Sequence, residues 1–260
     1  MTLQVHVEGR GPDLALLHGW GMNAVVWRAL SAALAADYRV HAVEMPGYGV
    51  DAATVRADSL DALIETLAAE LPPRLRVCGW SLGGQVAMAW ARRCPAQVSH
   101  LVLLGSTPRF VSDGDWTHGM AQEEFDGFVA DVEASLPRAR LRFLTLQANG
   151  DAAARGVLRM LRESIDEGGA PAGSAPAFGL ALLRDIDLRA DLPQINQPAL
   201  VMHGVNDALV PHAAGEYLAA ALPRAEFASM GGAGHAFFVT RKAAVAQRIR
   251  EFDEIGRAHV

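Results

Sequence analysis

The pentapeptide Gly79-Trp80-Ser81-Leu82-Gly83 constrains the fold of this chain most strongly. It lies between an apolar strand-like run at residues 75–79 and a helix-like run at residues 82–93. Gly-x-Ser-x-Gly at a strand-to-helix junction is typical of a nucleophile elbow, a sharp turn that exposes the serine at the carboxyl edge of a sheet. The glycines allow strand and helix to approach closely, since a Cβ there would collide. The pattern predicts that Ser81 is a nucleophile, rather than part of a purely structural turn.

Strand-like and helix-like segments alternate along most of the chain, which predicts a mostly parallel sheet with helices on both faces. Strands are expected at residues 2–8, 14–18, 39–43, 75–79, 100–104, 199–203 and 226–229, and helices at residues 24–36, 59–71, 82–93, 213–222 and 242–252. Between residues 108 and 188 the alternation stops, and the pattern favours several helices without strands. Such a stretch is too long for a plain loop, so we expect a helical lid over the carboxyl edge of the sheet.

Together with the elbow, this order predicts an α/β-hydrolase fold. Its core would comprise residues 1–108 and 188–254, and its lid residues 109–187. Residues 255–260 show neither helix nor strand patterning, and we treat them as a candidate non-native tail.

Composition narrows the class of protein. The 260 residues carry a formal net charge of −6, which disfavours nucleic acid as a partner. No apolar run is long enough for a membrane helix, and the N-terminus lacks a signal-peptide pattern. The two cysteines, Cys78 and Cys94, are expected to be buried and form neither a disulfide framework nor a zinc pattern. We expect a cytoplasmic monomer that needs no metal or organic cofactor.

A serine hydroxyl needs a base, and the base needs an acid to orient it. In this fold the chain order is serine, acid, histidine. The histidines that follow both the elbow and the lid are His203, His212, His235 and His259. His235 is favoured because a glycine-rich loop after a strand can place its imidazole over the sheet edge. His203 is interpreted as a packed core residue and His212 as solvated, and His259 lies in the candidate tail.

Asp207 is the predicted acid, because it immediately follows a strand and so reaches the same edge as Ser81. Asp185, Asp187 and Asp191 are interpreted as solvated charges near the end of the lid. The oxyanion hole needs two backbone amides, one from the residue after the nucleophile and one from an earlier strand–loop junction. Leu82 and Trp20 are the predicted donors.

Three segments point to a narrower family within this fold: Leu16-Leu-His-Gly-Trp-Gly-Met-Asn-Ala-Val-Val-Trp27, Gly79-Trp-Ser-Leu-Gly-Gly84 and Phe143-Leu-Thr-Leu-Gln147. With these the chain resembles the pimeloyl-[acyl-carrier protein] methyl ester esterases of biotin synthesis, over nearly its whole length to about residue 250. One departure is Glu44, where relatives usually have Asp before a Pro-Gly-x-Gly turn.

The resemblance implies a catalytic triad of Ser81, Asp207 and His235. The substrate contacts that it implies are Trp20, Ser81, Leu82, Phe143, Leu144, Thr145, Leu146, Gln147 and His235. It also implies that the substrate is a methyl ester carried on acyl carrier protein. A general short-chain carboxylesterase or a carbon–carbon bond hydrolase could use the same triad, and a non-catalytic ligand-binding module could keep the same fold.

The predicted lid is rich in arginine, and only Asp151 and Glu163 are nearby acids in the sequence. The arginines are Arg138, Arg140, Arg142, Arg155, Arg159 and Arg162. Their spacing of three or four residues would produce a basic stripe, at a repulsive cost of a few tenths of a kcal/mol per pair. A solvated helix face is one explanation. The other, which explains the cost, is that Arg138, Arg142, Arg155 and Arg159 dock the acidic carrier protein.

Overall fold

A computed structural model describes residues 3–48, 57–169 and 173–258 of the chain. Seven strands form one sheet in the order β1-β3-β2-β4-β5-β6-β7. Only β1 runs antiparallel to its neighbour. The strands are β1 Val5–Gly9, β2 Asp13–Leu17, β3 Arg39–Val43, β4 Leu75–Trp80, β5 Val98–Leu104, β6 Ala199–Gly204 and β7 Ala225–Met230.

Eight α-helices lie in the described ranges. They are α1 Arg28–Leu34, α2 Leu60–Glu70, α3 Leu82–Arg93, α4 Gln122–Ala148, α5 Ala154–Gly168, α6 Ala175–Asp185, α7 His212–Ala221 and α8 Lys242–Ala258. Short 3₁₀ turns occur at Ala24–Trp27, Leu192–Gln194 and Phe237–Val239. Within the described ranges, no helix combines the length and the apolar character needed to cross a membrane.

The sheet is buried on both faces, which explains the continuous apolar runs of its central strands. Along β2, Leu14 and Leu16 pack into one core cluster, whereas Ala15 and Leu17 pack into another. This alternation follows from the two-residue period of a strand. Helices α2, α3 and α7 contribute to the second cluster, and α1 and α8 to the first. The predicted α/β architecture, with helices on both faces, is the one observed.

Helices α4, α5 and α6 form an insertion between β5 and β6, here called the helical insertion (residues 109–187). A salt bridge of 2.8 Å between Arg109 and Asp187 joins its two ends. The insertion is tied to the loop after β2, where the Trp20 indole donates to the Pro176 carbonyl at 2.9 Å. It is also tied to the loop after β7, where the Gly234 amide donates to Asp151 Oδ2 at 2.9 Å. Both loops leave the carboxyl edge of the sheet, so the insertion contacts that edge.

Two local predictions are wrong. A continuous α-helix at residues 24–36 does not form: Ala24–Trp27 is a 3₁₀ turn, where the Asn23 side chain accepts from the Val25 amide, and α1 covers only Arg28–Leu34. Residues 255–258 were expected to lack regular structure, but α8 continues to Ala258. Extending a helix that has already formed costs little, and no proline interrupts it. His259 lies outside the described residues.

Candidate active site

Ser81 has a backbone conformation that L-residues rarely adopt. Its φ is 56° and its ψ −119°, and it is the single non-glycine residue with positive φ in the described ranges. Such strain costs about 1–3 kcal/mol and persists only where the surroundings impose it. Here the Ser81 amide donates to the Leu104 carbonyl at 3.0 Å. The Ser81 carbonyl accepts from the Ser106 hydroxyl at 2.9 Å and from the Gly84 amide at 2.9 Å.

Close packing around the elbow explains its glycines. A Cβ at Gly79 would collide with the Gly83 backbone, and one at Gly83 would collide with the Leu17 carbonyl at the end of β2. A Cβ at Gly84 would collide with the Ser106 hydroxyl. The motif therefore allows α3 to begin directly against β2 and β5, which aims the helix N-terminus at Ser81.

Asp207 and His235 meet in the loops that follow β6 and β7. His235 Nδ1 lies 2.8 Å from Asp207 Oδ2, and both side chains are fully buried. Asp207 Oδ1 accepts from the amides of Leu209 and Val210, each at 2.9 Å. Burial alone would raise the pKa of the Asp207 carboxyl, but the imidazoles of His235 and His203 hold that pKa well below its ordinary value.

His235 directs its other ring nitrogen away from Asp207. Nε2 is buried and has no hydrogen-bond partner among the described residues. The His235 carbonyl accepts from the Trp80 indole at 3.1 Å, and the two rings pack with centroids 5.6 Å apart. His235 therefore sits against the residue that immediately precedes Ser81. With Nδ1 donating to the carboxylate, Nε2 is free to accept a proton.

The two predicted oxyanion donors belong to segments that adjoin Ser81. Leu82 is the first residue of α3, so its amide has no partner within the helix. Trp20 belongs to the loop after β2, and a Cβ on its neighbour Gly19 would lie 3.3 Å from Ser81 Cβ. Within the described ranges, the Trp20 amide donates to no protein acceptor.

His18 and Glu44 support this loop, a role that the sequence patterns did not reveal. The buried His18 ring bonds the Gly19 carbonyl through Nδ1 at 2.9 Å, while its Nε2 accepts from the Met45 amide at 3.2 Å. Glu44 is also buried, and its carboxylate accepts from the Ala24 amide at 3.1 Å. Its Oε1 lies 3.2 Å from His18 Nε2. The unusual Glu44 thus contributes to the packing of the loop that carries Trp20.

The structure separates the five predicted contacts on α4. Phe143 packs edge-to-face on Trp20, with ring centroids 4.9 Å apart. Gln147 is buried beside the loop that carries His235, where its backbone carbonyl accepts from the Ala236 amide. Leu144 is buried in the opposite core cluster, and Leu146 is half-buried. Thr145 is exposed, and its hydroxyl donates to the Leu141 carbonyl in its own helix. Phe143 and Gln147 therefore reach the candidate site, whereas Thr145 points to solvent.

The arginines of the helical insertion have more acidic neighbours than the sequence suggested. Arg142 pairs with Asp131 at 2.5 Å, an acid that was not expected there, and Arg159 pairs at 3.8 Å with Glu163, which was expected nearby. In a straight helix residues 131 and 142 would be about 16 Å apart along the axis. They meet because α4 kinks at Ser135, which has non-helical dihedrals two residues before Pro137.

Two further observations correct the predicted acid environment of the stripe. Asp151, expected to lie beside it, is instead buried and bonded to the amides of Ala153 and Gly234. Burial lowers the pKa of Arg140. The negative charge of Asp166, an acid that the prediction omitted, partly opposes this shift. Arg138, Arg155 and Arg162 are exposed and have no ion-pair partner among the described residues.

The remaining candidates have ordinary partners. Asp185 pairs with Arg184, Asp187 with Arg109 and Arg189, and Asp191 with Arg92. His212, predicted to be solvated, is only 22% exposed and bonds Ser229 Oγ at 2.7 Å. Within the described ranges, no group of three or more His, Cys, Asp or Glu side chains could hold a metal ion.

Solved structures share this architecture. An esterase from Exiguobacterium antarcticum superposes with a TM-score of 0.85 at 22% identity, covering 96% of this chain and 94% of the esterase. A thermophilic esterase from Thermogutta terrifontis gives a TM-score of 0.81 at 24% identity, covering 97% of this chain and 93% of its own. At these identities the likeness shows the fold alone.

Comparison with sequence relatives identifies the family, and not only the fold. A family model for the alpha/beta hydrolase fold matches residues 14–242. A Nitrosomonas europaea protein is 41% identical over 238 residues, 91% of this chain and 94% of the relative. An Aromatoleum aromaticum protein is 43% identical over 235 residues, 88% and 93% of the two chains. Both are named pimeloyl-[acyl-carrier protein] methyl ester esterase. This chain therefore belongs to the α/β-hydrolase family and, within it, to the pimeloyl-[acyl-carrier protein] methyl ester esterases.

Proposed function

We propose that this chain is a serine carboxylesterase that hydrolyses the methyl ester of pimeloyl-[acyl-carrier protein] and so frees the pimeloyl carboxylate for biotin synthesis. The observation that carries the proposal is the identity of 41–43% to esterases of that name along nearly their whole length. The buried Asp207–His235 pair beside the strained Ser81 supplies the chemistry that such an activity requires.

In the proposed reaction, Ser81 Oγ attacks the carbonyl carbon of the methyl ester while His235 Nε2 takes the hydroxyl proton. Asp207 orients the imidazole and stabilises its charged form, since its carboxylate accepts from Nδ1 at 2.8 Å. The amides of Trp20 and Leu82 donate to the oxyanion. Two such donors in a site closed to water contribute several kcal/mol of transition-state stabilisation.

The tetrahedral intermediate collapses when the bond to the methoxy group breaks and His235 returns the proton, which releases methanol. The acyl group is then held as an ester on Ser81. A water molecule attacks it, with His235 as base, and the carboxylate leaves as the Ser81 hydroxyl is restored. Each turnover therefore converts one ester and one water molecule into methanol and the free carboxylate.

We assign the helical insertion, residues 109–187, as a lid over this site. Phe143 stacks on Phe128 with centroids 5.1 Å apart, and both rings pack on Trp20. These rings suit the apolar part of an acyl chain, and the buried Gln147 offers a side-chain oxygen without a partner in the described ranges. Phe143, Gln147 and Trp20 would therefore contact the acyl chain, whereas Leu144 packs in the other core cluster and Thr145 is exposed.

We further propose that exposed arginines of the lid dock the acidic carrier protein. Arg138, Arg142, Arg155 and Arg159 are all exposed on α4 and α5, which pack against each other. Arginine suits carboxylates and phosphates, because its planar guanidinium donates in pairs. Arg138 and Arg155 would contribute most, since Asp131 and Glu163 partly neutralise the other two.

We place the enzyme in the cytoplasm as a monomer. Both cysteines are free thiols, as expected of a reducing compartment. Size-exclusion chromatography with light scattering would test the oligomeric state, and one chain of 27.7 kDa is the expected mass.

The substrate assignment is tested by comparing two esters. The value of kcat/KM should be much higher for pimeloyl methyl ester on carrier protein than for p-nitrophenyl acetate, and methanol and the free carboxylate should form in equal amounts. Equal values for both esters would indicate a general carboxylesterase, and binding without hydrolysis a non-catalytic module. The gene should also restore growth without biotin to a strain that lacks its own methyl esterase.

A further inference from the structure

Asp207 has a second imidazole partner that the proposed mechanism does not use. His203, near the end of β6, places Nε2 3.3 Å from Asp207 Oδ2, the same oxygen that His235 Nδ1 contacts at 2.8 Å. His203 Nε2 is also 3.0 Å from the Val210 carbonyl. Both rings are fully buried. The carboxylate therefore receives two backbone donors on Oδ1 and two imidazoles on Oδ2.

The contacts define the protonation of His203. A carbonyl oxygen can only accept, so Nε2 must carry a hydrogen, which it donates to the Val210 carbonyl while lying 3.3 Å from Asp207 Oδ2. Nδ1 is buried without a partner in the described ranges, and an N–H there would be an unsatisfied buried donor. His203 is thus the neutral tautomer that donates through Nε2.

The fold makes room for this ring at a local cost. A Cβ at Gly215, inside α7, would collide with His203 Nδ1. Glycine in a helix interior is less favourable than alanine, so α7 loses some helix stability at Gly215 where it leaves room for the His203 ring. The other titratable groups around the ring are few. The His212 ring lies 6.0 Å away, and it bonds Ser229 and lies 3.5 Å from Glu216.

We propose that His203 is a positioning residue for the ester hydrolysis proposed above, and that it acts through Asp207. Its Nε2–H group, held in place by the Val210 carbonyl, restricts rotation of the carboxylate and draws electron density from Oδ2, 3.3 Å away. Both effects limit how strongly Asp207 holds the proton on His235 Nδ1. His203 thereby sets the pH range in which His235 accepts a proton from Ser81.

The test replaces the donor and measures the pH dependence of kcat/KM. His203→Phe keeps a ring but removes the N–H, so Oδ2 should hold the His235 Nδ1 proton more strongly and favour the charged imidazole. The midpoint of the acidic limb should then move up by about half a pH unit. At the optimum pH, kcat should fall about tenfold with little change in KM. His203→Gln, whose amide can still donate, should keep the wild-type midpoint. Should the phenylalanine variant not fold, His203→Met removes the same donor.

A matched control is a second buried histidine–aspartate pair away from the candidate site. His41, in the middle of β3, contacts Asp13, the first residue of β2, at 2.6 Å. His41→Phe should lower Tm without moving the pH profile. A His203→Phe profile that coincides with wild type, together with a loss of Tm like that of His41→Phe, would show that His203 only fills space.

A second readout is independent of turnover. The low-field NMR resonance of the proton between His235 and Asp207 should move further downfield in His203→Phe, because Oδ2 then accepts from one imidazole. That shift would appear even if no ester were hydrolysed, so failure of the proposed function and failure of this inference are distinguishable. An unchanged resonance would overturn the inference.

Discussion

At the carboxyl edge of the sheet the side chains around Ser81 are buried and most of their polar atoms are hydrogen-bonded, whereas the arginines of the helical insertion are mostly exposed to solvent. Close backbone contacts define this edge: Ser81 has a strained positive φ, a Cβ at Gly79 or Gly83 would collide with backbone, and two backbone amides donate to Asp207. The proposed docking of carrier protein by the insertion depends instead on exposed charges, whose interactions water and salt weaken. Substitutions should therefore have large, substrate-independent effects at the edge and smaller, substrate-dependent effects in the insertion.

The largest expected effect is a loss of activity when Ser81, at the carboxyl edge of the sheet, is replaced. Ser81→Ala removes the proposed nucleophile, and kcat should fall by a factor of at least about 10³ for every ester. Ser112→Ala makes the same change in the insertion, where the hydroxyl only bonds the Gly119 carbonyl, and should leave kcat near wild type. Substantial hydrolysis by Ser81→Ala would point to another nucleophile.

A pair of glycine substitutions sharpens the contrast in stability. Gly83→Ala drives a Cβ into the Leu17 carbonyl, and we expect a loss of about 3 kcal/mol in the free energy of unfolding. Gly127→Ala in α4 meets no atom within 4 Å, and should stabilise the protein by up to about 1 kcal/mol through helix propensity. Urea denaturation measures both. Equal losses would mean that the insertion is packed as tightly as the edge.

Charge-reversing substitutions test whether the arginines of the insertion dock the carrier protein. Arg138→Glu with Arg155→Glu should lower kcat/KM for the carrier-bound ester about tenfold and leave p-nitrophenyl acetate hydrolysis unchanged, because only the carrier protein is acidic. Arg142→Glu with Arg159→Glu should have a smaller effect on the carrier-bound ester, since those arginines already have acidic partners. The wild-type preference should also shrink in high salt. Equal loss on both esters would contradict carrier docking at these arginines.

The smallest expected effect is on stability, and it concerns Asp187 at the end of the helical insertion. The hydrogen bond from Arg189, assisted by Arg109, lowers the pKa of Asp187 from 3.8 to about 2 despite partial burial. Its folded pKa is depressed, so the stabilisation is present above pH 4 and is lost as the pH falls towards 2. Because the carboxylate is partly exposed, we expect about 1 kcal/mol or less.

Asp187→Asn should therefore be less stable than wild type at pH 6, and the difference should disappear near pH 2. Thermal unfolding across this range provides the measurement. Asp185→Asn is the control, because the Asp185 ion pair is more exposed and should change Tm very little. A constant difference between Asp187→Asn and wild type at every pH would exclude the proposed electrostatic origin.

Much of the edge could be predicted because its residues follow strands. Parallel strands end together, so Asp207 after β6 and His235 after β7 were expected to be neighbours, and they lie in contact. The glycine pattern likewise specified the approach of β4 and α3. His203 was predicted to be a packed core histidine, and it is buried. Its contact with Asp207 was not predicted, because helical or strand periodicity does not reveal which way a ring turns at a strand end.

The insertion was less predictable for a physical reason. Its helices could be expected from the absence of strand patterns, but contacts between surface charges depend on the kink at Ser135. That kink brings Asp131 to Arg142, eleven residues away. The exposure of Thr145 was missed as well, because the resemblance specified a segment rather than one face of a helix.

Trp20 joins the two regions in a single residue. Its backbone amide lies in the loop beside Ser81, while its indole is bonded to Pro176 at the start of α6. A change in α6 that alters acyl-chain selection can therefore also displace a proposed oxyanion donor. Binding and turnover are then not independently adjustable traits: laboratory evolution of this insertion towards a new ester would tend to change kcat as well as KM, and variants should be selected on both.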